Sequence, residues 1–260
     1  RVRKVMPGQT KLVDCAYEVN QYLKSMNMGV NDIAQMQDYF NDIFLKLQRK
    51  VSFKELDINL DEIKSNINLE EIKRVAFFST YLAKCSGLSR EDFEVLCQAT
   101  NLYRIGRTEE RSAGLFGKMQ KEYSQTEKIV NALTELTGVQ KQKLMAVVLG
   151  YVTRNHDSSE NTVDLQKINS STKDFNRTVT MCNILRDSVD LTRNTQNLDD
   201  AKKIRLLNLR TAGAQTAIAA AFELKDHYDE ISAMESEDLN LIDSLNSTLS
   251  QQNQQQRQYS

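Results

Sequence analysis

Few side chains in this 260-residue sequence could carry acid–base, nucleophilic or metal chemistry. There are two histidines, His156 and His227, too few for a zinc site of ordinary type, so no metal and no other cofactor is expected. His156 stands beside Asp157 and is the candidate general base. The alternative is an ordinary solvated histidine in a polar segment. His227, in Lys225-Asp226-His227-Tyr228-Asp229, reads as a residue of an exposed helix face. Ser79, Ser188 and Thr192 lack the spacing of a nucleophile elbow, and no glycine-rich phosphate loop is present. The stretch richest in candidate groups is Asn101-Leu102-Tyr103-Arg104-Ile105-Gly106-Arg107-Thr108-Glu109-Glu110, at the end of an amphipathic helix. Its guanidiniums could grip a phosphate, and its carboxylates could move a proton.

The elements that position these groups are helical. Apolar residues recur with a 3.6-residue period nearly throughout, with no convincing alternating run, and one proline in the whole chain fits a helical protein. Periodicity predicts helices over 10–26, 31–50 (Ile33, Met36, Phe40, Ile43, Phe44 and Leu47 on one face) and, more weakly, 53–67. Asn68-Leu69-Glu70-Glu71 has the form of a capping box opening a helix to Cys85, where Gly87 would cap it. Ser89 opens the next helix, which ends at Arg104–Gly106. Ser124 with Glu127 would open another, closed by Gly138. Further helices are expected at 139–154, 173–193, 199–231 and 237–250, with a polar loop over 155–172. The small residues of 211–222 read as a helix packed deep in the bundle.

Composition sets outer bounds. Net charge is −1 from 34 basic and 35 acidic residues, which gives no general attraction for nucleic acid. No apolar run is long enough for a transmembrane helix, and no secretory signal is evident. The four cysteines (Cys15, Cys85, Cys97, Cys182) lie far apart without a CxxC pair and read as buried thiols of a cytoplasmic protein. Arg1 in place of Met reads as a fragment or a processed form. The glutamine-rich tail 251–260 cannot build a core.

Three blocks in order carry a family resemblance. The first is Glu71-Ile72-Lys73-Arg74-Val75-Ala76, with Tyr81-Leu82-Ala83-Lys84 and Gly87-Leu88-Ser89 after it. The second is Leu102–Arg107. The third is Ile184-Leu185-Arg186-Asp187-Ser188-Val189-Asp190-Leu191, and Tyr151–Asp157 lies between the second and third. Together they resemble the H-x-x-R-V-A, L-H-D-x-G-[KR] and late L-x-x-D-A-D segments of HD-type phosphohydrolases. A narrower similarity is to the phosphodiesterase domain of SidE-type bacterial effectors, which cleaves phosphoribosyl and ADP-ribosyl linkages on ubiquitin. Gly106, Arg107 and Glu110 match its central motif, and Ile184, Leu185 and Asp187 its late one.

Helix lengths of ~12–20 residues give an all-α, multi-helix bundle of about eight to ten helices, and the resemblance implies that it is of the HD/phosphodiesterase kind. Residues 1–65 would be a helical N-terminal extension, 66–250 the phosphodiesterase-like domain and 251–260 a tail. It also implies a degenerate site. Glu71 stands at the first family histidine, Tyr103-Arg104 at the His-Asp pair and Arg186 at the late histidine, with Asp187 retained. In-line phosphoryl displacement needs metal ions or a tuned acid–base pair, and the replacements remove both. The expectation is a pseudoenzyme domain of an effector-like protein, cytoplasmic or delivered into a host cytosol. Its partner would be a protein such as ubiquitin or an ADP-ribosylated target.

Two alternatives stand beside it. In an active divergent phosphodiesterase, Glu110 and His156 would serve as acid and base. Arg74, Arg104, Arg107 and Arg186 would be the phosphate-binding candidates. Those arginines could equally pair with Glu71, Glu109, Glu110 and Asp187, as salt bridges refilling an emptied site. Tyr103 and Arg104 could also be ordinary helix-end residues, one packed inward and one compensating the helix C-terminus. The second alternative is a purely structural helical module.

Overall fold

In the first helix Leu12, Cys15, Ala16, Val19 and Leu23 are all buried, the spacing of a single apolar stripe. The same logic builds every element of the computed structural model, which describes residues 11–28, 63, 65–66, 68–108, 114–133, 136–156, 172–196 and 199–232. Among them are eight helices and no strand: α1 (Lys11–Ser25), α2 (Leu69–Cys85), α3 (Arg90–Leu102), α4 (Gly114–Leu133), α5 (Gly138–His156), α6 (Thr172–Asn194), α7 (Asp200–Leu207) and α8 (Ala214–Ser232). The all-α class is therefore as expected. None of these helices is long and apolar enough to cross a membrane. The helices expected at 31–50 and 237–250, most of 53–67, the tail, Glu109, Glu110 and Asp157 lie outside the described residues.

The helices divide between two compact units. The first holds α1, α2 from Lys73 onward, α6 from Asp187 onward, α7 and α8. The second holds the start of α2, then α3, α4, α5 and α6 through Arg186.

In the first unit α1 packs on α8. The Glu223 carboxylate of α8 accepts from the backbone amides of Lys11 (3.1 Å) and Leu12 (2.7 Å), satisfying two orphan donors at the start of α1. The expected continuous helix over 199–231 is instead broken. Asn208 ends α7, and Gly213, at φ 84, turns the chain into α8. The break is organised by Asp187, which is fully buried. Its Oδ2 accepts from the amides of Arg210 (3.2 Å) and Thr211 (3.1 Å) and from the Thr211 hydroxyl (2.8 Å). A Cβ on Gly213 would fall 2.6 Å from Cys85 Sγ, so this glycine is needed for both its conformation and its close approach.

In the second unit α5 packs against both α3 and α4. The expected start of a helix at Ser124 is corrected: α4 begins at Gly114, and Ser124 is an exposed mid-helix serine. Gly138, at φ 57, is the first residue of α5 and not the last of α4. α5 also continues through Asn155 and His156, where a loop was expected. Of the cysteines, Cys15 and Cys182 are buried, whereas Cys85 and Cys97 are only half-buried.

Four charged residues tie α3, α5 and α6 together. Lys143 Nζ lies 2.9 Å from Asp92 and 3.1 Å from Asp174, and Arg177 lies 3.5 Å from Asp92. Burial alone would lower the pKa of Lys143, but hydrogen bonds to the two aspartates outweigh it and the net shift is upward. The ammonium therefore stays charged.

Two outcomes follow from this packing. The Asp92 side chain is 3% exposed, so Lys143→Met leaves a buried carboxylate with only part of its compensation. Chemical denaturation should show a loss of about 3 kcal/mol, and adding Asp92→Asn should recover part of it. In the first unit, burial pushes the Cys15 thiol from 9.0 up to about 12, against the lowering effect of its hydrogen bond with Tyr81. The unfolded thiol ionises first, so this stability is complete below pH 9.0 and is lost as pH rises toward about 12. Urea titrations across that window should show a shallower alkaline loss in Cys15→Ala than in the parent.

Candidate functional site

Asn68 caps α2: its Oδ1 accepts from the Glu71 amide at 3.0 Å, as the capping-box pattern predicts. That places Glu71 in the first turn, where a carboxylate is favoured by the helix dipole. Ser89 caps α3 through the Asp92 amide, and α3 ends at Leu102 with Tyr103 as its C-cap residue. Two successive turns follow, Ile105 N–H to the Leu102 carbonyl and Arg107 N–H to the Arg104 carbonyl. They leave Arg104 just past the C-terminus of α3, where a cation is favoured.

These two helix ends meet in the second unit. The Tyr103 hydroxyl donates to Glu71 Oε1 at 2.5 Å, and Arg104 Nη1 donates to Oε1 at 3.1 Å and Oε2 at 3.2 Å. The Glu71 side chain is 14% exposed and that of Arg104 is 20% exposed, so the pair is shielded from water on most sides. Tyr103 itself is buried, with its ring edge-on to Tyr151 of α5 at 4.9 Å between centroids. Both helix-end readings of these residues hold: the tyrosine packs inward and the arginine sits at the helix C-terminus.

Gly106 completes the corner. A Cβ there would lie 2.5 Å from the Thr126 backbone nitrogen and 2.8 Å from its Cα, so the turn can press on α4 because this residue has no side chain. Asn66 donates to the Arg107 carbonyl, and the buried Glu122 carboxylate accepts from the Thr108 amide at 3.2 Å. A small cavity of about 10 Å³, room for about one water molecule, lies beside the cluster. Its walls are Asn66, Asn68, Ile72, Asn101, Tyr103, Arg104 and Ile105. It is far smaller than the roughly 300 Å³ at which small-molecule sites begin.

The structure thus brings together three of the singled-out residues, Glu71, Tyr103 and Arg104. Arg107 is half-buried at the same turn. Arg186 is half-buried on α6, whereas Arg74 and Asp187 belong to the first unit. There the Arg74 guanidinium donates to the Gln196 amide oxygen, once that amide is oriented by its hydrogen bonds. Glu110 lies outside the described residues. His156 and His227 are placed on α5 and α8 by backbone alone. Among the described residues no group of three or more His, Cys, Asp or Glu is arranged to hold a metal. Asn66, Tyr151, Glu122 and Thr126 were not foreseen, and no local pattern in the sequence marks them.

Chemically the Glu71 carboxylate is already engaged, whereas Arg104 Nε is buried without a hydrogen-bond partner among the described residues. The Glu71 carboxylate already accepts from two side chains, so acting as a base or a metal ligand would require breaking charge-assisted hydrogen bonds. Compared with protein-family models, with curated proteins and with solved structures, the chain matches none.

These hydrogen bonds have a measurable signature. Tyr103→Phe removes a hydrogen bond to a charged acceptor in a shielded site and should cost about 2 kcal/mol in denaturant unfolding. Most of that cost should vanish in a Glu71→Gln background, giving a clear coupling energy in a double-mutant cycle. Gly106→Ala should cost about 1–3 kcal/mol without altering any hydrogen-bonding side chain.

Proposed function

We propose that this chain carries a phosphodiesterase-like helical domain of the HD type that has lost its chemistry and works by binding. The supporting observation is the Glu71–Tyr103–Arg104 cluster. The resemblance assigns these residues to the first family histidine and to the His-Asp pair, which in an HD protein must converge on one centre. Here they converge although Glu71 lies more than thirty residues away in sequence. Where metal ligands would stand, a carboxylate accepts hydrogen bonds from a phenol and from one end of a guanidinium. The partner is a protein, with ubiquitin or an ADP-ribosylated target as first candidates, and the setting is that of a bacterial effector.

Two experiments test this reading. The first is hydrolysis of phosphoribosyl- and ADP-ribosyl-ubiquitin, with and without divalent metal. No turnover is expected. Turnover that disappears in Glu110→Ala and His156→Ala would instead make the protein a divergent phosphodiesterase with a rebuilt site.

The second restores the family residues together, as Glu71→His, Tyr103→His and Arg104→Asp. If the scaffold is HD-like, this variant gains a manganese-dependent rise in melting temperature that the parent lacks. At a hundredfold excess over the dissociation constant the gain is about 2.7 kcal/mol. A folded triple variant indifferent to divalent metals would argue for an ordinary helical corner.

A further inference from the structure

Two thiols of the first unit meet at one hydroxyl. Tyr81 and Cys85 are four residues apart and share a face of α2. The Tyr81 side chain is hydrogen-bonded both to Cys85 and to Cys15 of α1, and also to Thr216 of α8. Two sulfurs that share one hydroxyl lie no more than two hydrogen-bond lengths apart. Neighbouring contacts hold them there. Glu18, one turn after Cys15, pairs with Lys84, the residue before Cys85. On the other side Cys85 Sγ packs against Gly213, where a Cβ would fall 2.6 Å from the sulfur.

The two thiols differ in access. Cys15 and Tyr81 are buried, whereas Cys85 is half-buried. A small oxidant in water therefore reaches Cys85 first. Burial also pushes the Cys15 thiol up to about 12, which protects it from reagents in solution. The Tyr81 hydroxyl opposes that effect, because it stabilises negative charge as it develops on the Cys15 sulfur. The other two cysteines belong to the second unit. The Cys182 thiol is buried against the Ala146 and Val147 carbonyls, 3.8 Å from each, and burial pushes the Cys97 thiol above its ordinary range.

We propose that Cys15 and Cys85 are a peroxide-responsive pair, in which Cys85 is the sulfur oxidised first and Cys15 the thiol that resolves it into a disulfide. Hydrogen peroxide is the oxidant. The Cys85 sulfur attacks one peroxide oxygen; an S–O bond forms, the O–O bond breaks, and the second oxygen leaves as water with the thiol proton. The Cys15 sulfur then attacks the Cys85 sulfenic acid; the S–S bond forms, the S–O bond breaks, and hydroxide leaves as water with the Cys15 proton. Two thiols and one peroxide give one disulfide and two waters. Rotation about χ1 closes the gap to the roughly 2.05 Å of an S–S bond without displacing either helix. The bond ties α1 to α2, and a thiol reductant releases it. This inference is independent of the proposed function and concerns the first unit alone.

Peptide mapping of the full chain by mass spectrometry tests it, after treatment with hydrogen peroxide and alkylation of the remaining thiols under denaturing conditions. A peptide pair linked through Cys15 and Cys85 should dominate and should vanish on reduction with dithiothreitol, while Cys97 and Cys182 stay alkylated. In Cys15→Ala, with circular dichroism as the check on folding, Cys85 should persist as a sulfenic acid that dimedone captures. In Cys85→Ala, Cys15 should stay reduced. The linked form should melt several degrees above the reduced form, because the bond restricts the unfolded chain. A parent that yields no linked pair overturns the inference, as does equal oxidation of Cys97 or Cys182. Oxidation of Cys15 in Cys85→Ala overturns the order of attack. A linked form that melts below the reduced one overturns the claim that the sulfurs meet without displacing a helix.

Discussion

A carboxylate cannot be removed from water unless donors replace the water, and that constraint shapes the junction of α2 and α3 in the second unit. Glu71 sits at the start of α2 and is mostly covered; Tyr103 and Arg104 come off the end of α3 and supply the donors. The arrangement gains twice from the helices themselves. The negative group lies at a positive helix end and the positive group at a negative one, so each charge is favoured before the two meet. Losing one partner would leave the other desolvated and unpaired, which costs several kcal/mol in a shielded site. The junction between the two helix ends is therefore specified by polar groups as much as by the apolar surface around it.

Carboxylates also hold backbone amides at one helix start and at two turns. Glu223 of α8 holds the first amides of α1, Asp187 of α6 holds the amides leading into α8, and Glu122 of α4 holds the amide of Thr108. Each is a carboxylate far in sequence from the amide it satisfies. Local caps serve elsewhere, as with Asn68, Ser89 and Asp199. Among the described residues, orphan amides at helix starts are met both by a distant side chain and by neighbours. The Asp92–Lys143–Asp174–Arg177 cluster extends the principle to whole helices, with charges joining α3, α5 and α6.

This division explains what the sequence could and could not reveal. α2 and α3 begin and end close to where expected, because Asn68, Gly87 and Ser89 announce those ends locally. The start of α4 and the break between α7 and α8 were missed. Ser124 with Glu127 mimics a cap that the chain does not use, and the real break depends on Asp187, more than twenty residues upstream of Thr211. At the candidate site, the resemblance drew attention to Glu71, Tyr103 and Arg104, but their mutual hydrogen bonds have no local signature. Tyr151, which supports the Tyr103 ring, belongs to another helix, and nothing in its immediate sequence points to that contact.

The polar groups of this corner are not all matched, although folded proteins leave few buried donors or acceptors unmet. Here Arg104 Nε and Thr126 Oγ1, one on the cluster and the other against Gly106, are buried with no hydrogen-bond partner among the described residues. Glu71 takes donors from Tyr103 and from one end of the guanidinium, while its Nε remains unmatched. Ser79 Oγ and Gln142 Oε1 are buried and unmatched in the same way elsewhere in the fold, so incomplete matching belongs to the packing of these helices in general and does not single out this corner.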